Sequence, residues 1–203
     1  MYKMAPFIED DNSEIFRFIG QNSFALVTCT GTDYPVATQL PLEIVKENDR
    51  LFFLGHLMRN TDHHMGFLKN PKVLIVFASP HAFIDAGWYT NPAVASTVNY
   101  MSVHAHGKLA FTDEKGTYDA IKQITNKYIE QGTPGSFENI ASEYIDKMLK
   151  AIVGFRIEVK DIQHVFKLSQ NQNKSDRENI IKRLLTRLNE GDAFIAGEMQ
   201  KRL

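Results

Sequence analysis

The stretch Phe24-Ala25-Leu26-Val27-Thr28-Cys29, followed by Thr30-Gly31-Thr32-Asp33 and by the run 36–45, decides the fold. Its first part is rich in β-prone side chains and its middle carries turn chemistry. Its last part sets Val36, Thr38, Leu40, Leu42 and Ile44 on one face at the two-residue period of a strand. Together these read as a β-hairpin. The pattern then repeats outward. The polar turn Lys46-Glu47-Asn48-Asp49 leads into an apolar strand over 51–54, 73–77 is a continuous apolar run suited to a central strand, and 98–111 is a long strand. Residues 152–159 alternate Val153, Phe155, Ile157 and Val159 against Ile152, Gly154, Arg156 and Glu158, as a strand with one buried side does.

Helical signals are fewer and lie between or after the strands. Asp11-Asn12-Ser13 caps a short helix carrying Ile15, Phe18 and Ile19. A second helix passes through Met65, Phe67 and Leu68 and ends at Asn70-Pro71, and a third carries Tyr118, Ile121, Ile124 and Tyr128 after Asp113. Beyond residue 160 the chain turns helical. Ser175 with Glu178 reads as a capping box before Ile180, Ile181, Leu184, Leu185 and Leu188, and Gly191-Asp192 restarts a last helix with Phe194, Ile195 and Met199.

Sequential antiparallel strands with few intervening helices argue against a doubly wound α/β sheet. They predict a mainly β fold, a split β-barrel of six to seven antiparallel strands with helices outside. The expected division is a barrel domain over 1–160 and a C-terminal helical tail over 161–203 packed on the barrel or on a dimer. A small barrel fills its interior with its own side chains, so a ligand is expected at its surface or at a dimer seam.

Composition narrows the function classes. Of 203 residues, 43% are hydrophobic and 23% charged, ordinary globular usage, and no apolar run reaches the roughly 18 residues of a membrane span. A formal net charge of −1 supplies no global basic field for nucleic acid. The tail from Lys160 holds nine Lys/Arg against six Asp/Glu, a solvated helical face by default, and DNA binding there is carried as a lesser expectation. Cys29 is the sole cysteine and the first ten residues turn acidic, so an internal disulfide and multi-cysteine metal sites are excluded and a cytoplasmic protein is expected.

The segment Gly55-His56-Leu57-Met58-Arg59-Asn60-Thr61-Asp62 joins a strand to a helix start. Free amides at Asn60, Thr61 and Asp62, the helix dipole, and Arg59 or His56 can together hold a phosphate, whereas composition alone reads the segment as a capped loop. Neither a GxGxxG fingerprint nor a P-loop occurs. Trp88-Tyr89 offers flat faces for a ring system, with core filling as the alternative. Six of seven histidines lie between 56 and 106, and His104 and His106 share a strand face; a haem or metal site there is the minority reading against scattered hydrogen-bonded imidazoles. Cys29 reads as a buried thiol, and no acid–base pair or nucleophile stands out, so no catalytic residue and no metal ligand is assigned.

Several strings in combination resemble the PaiB family, described as FMN-binding negative transcriptional regulators with a pyridoxamine-phosphate-oxidase-like split barrel. They are Ala37-Thr38-Gln39-Leu40-Pro41-Leu42, Gly55-His56, Pro80-His81-Ala82-Phe83-Ile84 with Trp88-Tyr89, and Asn99-Tyr100 leading to Val103-His104-Ala105-His106-Gly107. Val153-Gly154-Phe155-Arg156-Ile157 and Lys167-Leu168-Ser169-Gln170-Asn171 complete the set. The sequence departs from the family at Gln39, where His is usual, at Ser96-Thr97-Val98, where Pro-Thr-Trp is usual, and at Asp85-Ala86.

The resemblance implies a homodimer with FMN at the subunit seam. It puts the phosphate near Arg59, Asn60 and Thr61. The ring is expected along Thr38, Gln39, Leu40 and Pro41 and near Trp88 and Tyr89. DNA is then a candidate partner of a regulator, and a flavin-dependent oxidoreductase is the enzymatic alternative.

Overall fold

The computed structural model describes residues 1, 4–187 and 189–203. Leu188, which the sequence places in the tail helix, lies outside them. Strands β1 (Phe24–Cys29), β2 (Val36–Pro41), β3 (Glu43–Glu47), β4 (Arg50–Met58), β5 (Lys72–Ala78), β6 (Ala82–Ile84), β7 (Thr97–Phe111) and β8 (Ile152–Lys167) form one sheet. Helices α1 (Asn12–Gln21), α2 (Asp62–Lys69), α3 (Glu114–Tyr128), α4 (Ser142–Ala151), α5 (Lys174–Arg187) and α6 (Glu190–Gln200) flank it. The strand order is β2-β1-β5-β7-β8-β4-β3, with β6 pairing β7 off that path. The β1–β2, β1–β5, β3–β4, β4–β8 and β6–β7 pairings are antiparallel.

The expected hairpin is present. β1 and β2 pair from Phe24 with Pro41 to Cys29 with Val36. The run 36–45 nevertheless splits in two, because the main chain leaves the β1 ladder at Leu42. There the Leu42 amide donates to the Ser23 carbonyl at 2.9 Å while the side chain is buried. β3 then pairs with β4 across Asn48-Asp49, and Asn48 takes a positive φ of 51° that asparagine tolerates in such a tight turn. With this split and the short β6, the strand count is eight rather than six to seven.

The long strands behave as their alternation predicts. In β7, Asn99, Met101, Val103, Ala105, Gly107 and Leu109 are all buried, and in β8 Val153, Phe155 and Ile157 are. β8 continues past the predicted end to Lys167, so the expected boundary at 160 falls inside a strand. Helix α4 was not legible in the sequence. The tail helix α5 is capped by Asn173 rather than by Ser175: the Asn173 side-chain oxygen accepts from the Asp176 amide at 2.9 Å, and its side-chain nitrogen donates to the Asp176 carboxylate at 2.7 Å.

The described residues group into two units, one of Met1–Phe18, Ala78–Val103 and Gln163–Leu203, the other of Ile19–Phe77 and His104–Ile162. In the first, Phe18 meets Phe166 at 5.2 Å between ring centroids, and Ile180, Leu184, Ile195 and Met199 are buried. In the second, Phe53 meets Phe77 edge to face, also at 5.2 Å, beside the buried Val27, Ile75, Phe155 and Ile157. Among the described residues no helix is long and apolar enough to cross a membrane.

Candidate cofactor site

The junction of β4 and α2 has a built geometry. β4 ends where Met58 pairs with Ile152, and the chain is then pinned by the Arg59 amide on the Ala151 carbonyl and by Arg59 Nε on the Ile152 carbonyl, both at 2.9 Å. Asn60 adopts a left-handed φ of 61°, which reverses the chain within one residue. Thr61 caps α2, its hydroxyl accepting from the His64 amide at 3.3 Å and donating to the Met58 carbonyl at 3.0 Å.

Of the three amides expected to be free, one is not. The Asn60 N–H donates to His64 Nδ1 at 3.0 Å, because the reversal at Asn60 folds it back over the first turn of the helix. The Thr61 and Asp62 amides have no acceptor among the described residues, and the terminal nitrogens of Arg59 likewise have none. The Asp62 side chain takes the His63 amide at 2.8 Å and stays exposed.

His64 can accept from Asn60 only as a neutral ring. Burial first, then the nearby Arg59 and His63 charges, hold its pKa below the ordinary histidine value. His56 lies on β4 opposite Gly154, and burial lowers its pKa as well. Its Nδ1 is buried without any hydrogen-bond partner. A buried polar atom left unpaired on the strand that feeds an anion-type turn is the feature a bound polar ligand would satisfy.

Histidines with depressed pKa values contribute stability in full above their ordinary pKa of about 6.5, and lose it as pH falls toward the folded-state values. The thermal midpoint is therefore expected to drop between pH 7 and pH 5 by more than carboxylate titration explains. A His64→Asn variant, whose side-chain oxygen can replace Nδ1 as acceptor, should flatten part of that slope. An unchanged slope would remove His64 from the account.

Thr38, Gln39, Leu40 and Pro41 lie on β2, where Gln39 is exposed opposite Leu26. With His56, Arg59, Asn60 and Thr61 they belong to the same unit, and α2 is seated closely on β2: a Cβ on Gly66 would lie 2.5 Å from a Val36 methyl. Trp88 and Tyr89 belong to the other unit. There the loop is fastened to α5, with Asn179 donating to the Trp88 carbonyl at 2.6 Å and both the amide and hydroxyl of Thr90 donating to Asp176 at 2.6 Å. The Arg187 guanidinium stands 5.0 Å from the Trp88 ring centre while bonded to Asp192, and Tyr89 is only 8% exposed. One face of Trp88 is thus taken, and Tyr89 packs as a core residue.

Among the described residues, no three His, Cys, Asp or Glu side chains converge as ligands. Cys29 is buried and its thiol pKa is pushed up by that burial, as its apolar strand predicts. Sequence reading did not find the pairing of β4 with β8 that anchors Arg59, because nothing in a single sequence marks a partner some ninety residues away.

The curled antiparallel sheet with its flanking helices is a split-barrel fold. Residues 1–161 match the family described as "Putative FMN-binding domain". The protease synthase and sporulation protein PAI 2 of Bacillus subtilis is 33% identical over 204 residues, covering 100% of this chain and 98% of its own. The chain belongs to this family, the PaiB family of FMN-binding-domain proteins. An uncharacterised protein of Aspergillus fumigatus is 29% identical over 54% of this chain and 51% of its own.

Among solved structures, the FAD and heme binding protein from Mycobacterium smegmatis superposes with a TM-score of 0.64 at 12% identity, covering 84% of this chain and 78% of its own. The flavocytochrome Anf3 from Azotobacter vinelandii gives 0.62 at 15% identity, over 84% and 74%. These two likenesses establish the fold.

Proposed function

We propose that the chain is an FMN-binding regulatory protein of the PaiB kind, acting as a homodimer with the flavin at the subunit seam. The buried His56 Nδ1 without a partner, two residues before the end of the strand that leads to the free Thr61 and Asp62 amides, carries this reading. In it, the two amides and the Arg59 guanidinium hold the phosphate, His56 satisfies its buried nitrogen on the ligand, and β2 from Thr38 to Pro41 lies along the ring. Arg59 is pre-positioned by its Nε bond to the Ile152 carbonyl, which leaves its terminal nitrogens for a charge-assisted contact. Bound FMN would supply one- or two-electron transfer chemistry, and the chain would bind, orient and shield it.

The dimer part of the proposal draws support from an outward sheet face. Phe24 is 62% exposed and Leu26 36%, next to each other on one side of β1, and Val76 of β5 stands opposite Leu26. Such an apolar face on a sheet suits an isologous contact with a second copy.

The test begins with the visible spectrum and the light-scattering mass of protein purified without added cofactor. A flavin spectrum on a particle of twice the chain mass is expected. FMN should bind more tightly than riboflavin, and Arg59→Met should erase about 10- to 100-fold of that preference, the worth of a hydrogen bond to a charged group. A colourless protein that neither binds nor is stabilised by FMN would end the proposal. Rapid flavin reduction by NADPH would instead make the protein an oxidoreductase.

A further inference from the structure

A cavity of about 600 Å³ opens in the second unit between the end of β1, the start of β5 and residues 106–108 within β7, with Lys160 of β8 also in its lining. That is the size of a site for a small organic molecule. Thr28, Pro35, Val73 and Leu74 are among its lining, with Thr28 and Leu74 directly opposite each other in the β1–β5 register. Lys72, His106, Lys108 and Lys160 stand around it, and among the described residues no carboxylate lines it.

The four basic groups are not equivalent. Lys160 is committed to Glu158 at 2.7 Å, and His106 Nδ1 lies 3.5 Å from Asp161. Lys72 and Lys108 have no ion-pair partner among the described residues and are exposed. Two exposed ammonium groups without an ion-pair partner thus stand at a pocket whose lining holds no carboxylate among the described residues. The lining contains no Phe, Tyr or Trp, and the one ring among it, the His106 imidazole, lies against Asp161. The Cys29 thiol, kept neutral by burial, adds no opposing charge.

We infer that this cavity is a second ligand site, separate from the β4–α2 junction, that takes an amphipathic anion with an aliphatic body, a medium-chain carboxylate. The aliphatic chain lies on Thr28, Pro35, Val73 and Leu74 while the carboxylate is held between Lys72 and Lys108. The inference does not depend on flavin binding, since none of these residues belongs to the candidate cofactor site.

The experiment is calorimetric titration of the purified full-length protein with decanoate, with decanol as the uncharged control, on the wild type and a Lys72→Glu/Lys108→Glu variant. Saturable binding of decanoate near one per chain is expected. The variant should weaken it about 10- to 100-fold while decanol binding is unchanged. Because both lysines are exposed, the variant should keep its thermal midpoint. Its FMN affinity serves as an independent check that the cofactor site stands or falls separately. Equal binding of decanoate and decanol, or an unaltered decanoate affinity in the variant, would overturn the assignment. So would a change of oligomeric mass on charge reversal with decanoate binding intact, which would make this face a contact between copies.

Discussion

Replacing Glu198 by glutamine is expected to destabilise the protein by about 3–5 kcal/mol, the range for removing one partner of a buried ion pair. Glu198 lies on α6, 4% exposed, and its two oxygens accept from three cations: Arg17 at 2.8 Å, Arg202 at 2.9 Å and Lys201 at 2.7 Å. Arg17 and Arg202 are shared with Glu14, and Arg202 also with Glu9, so three cations face three carboxylates. Neutralising Glu198 leaves the positive charges in excess at the most buried point of the cluster. The network ties the amino-terminal residues to the last helix within one unit.

The same carboxylate gives an acid signature. Burial opposes its ionisation, yet the bonds from Arg17, Lys201 and Arg202 hold its pKa at about 2, against an ordinary 4.5. A depressed folded-state pKa means the contribution is whole above pH 4.5 and drains away as pH falls toward 2. That is a difference on the order of 3 kcal/mol. Denaturant titrations at pH 7, 4 and 3 should show the wild type losing stability steeply below pH 4.5 and the Glu198→Gln variant losing much less. Parallel pH profiles for the two proteins would show that Glu198 is not the group responsible.

Phe155→Ala should cost about 3–5 kcal/mol, the usual penalty for emptying a buried phenylalanine site. Phe155 is fully buried on β8 and lies across from Gly55 of β4. A Cβ added at Gly55 would fall 2.5 Å from the tip of the Phe155 ring and 2.9 Å from a Leu42 methyl, so Gly55→Ala alone should cost about 1–3 kcal/mol by overpacking. In the double variant the new methyl enters space the ring has vacated. Its loss should fall short of the sum of the two single losses by more than about 0.5 kcal/mol. Strict additivity would mean the two residues do not share that space.

This second prediction also bears on the cofactor site. Gly55 is one residue before His56, and the β4–β8 pairing that positions Phe155 also brings Ile152 opposite Met58, where Arg59 is anchored. Displacing β4 at Gly55 should therefore weaken FMN binding in Gly55→Ala as well as stability. Glu198→Gln changes a cluster confined to the other unit, and it should leave FMN affinity per folded molecule unchanged.

Much of this protein was legible along the chain because the deciding signals are local. The hairpin of β1 and β2, the alternation in β7 and β8, and the amphipathic faces of α1 and α3 follow from side-chain periodicity and turn residues within a few positions of each other. The family strings were local too, and so were the signals for the strand-to-helix turn at 55–62. What the tertiary structure alone decided are the pairings between distant residues. These include the pinning of Arg59 on Ile152, the capture of the Asn60 amide by His64, the clasp of Glu198 with Arg17 and Arg202, and the fastening of Trp88 and Tyr89 to α5. They also include the gathering of Lys72 and Lys108 at one pocket. A hydrogen bond or ion pair is set by which groups meet once the sheet has closed its register, and a linear sequence records the periods that build each strand but not the partner each strand will find.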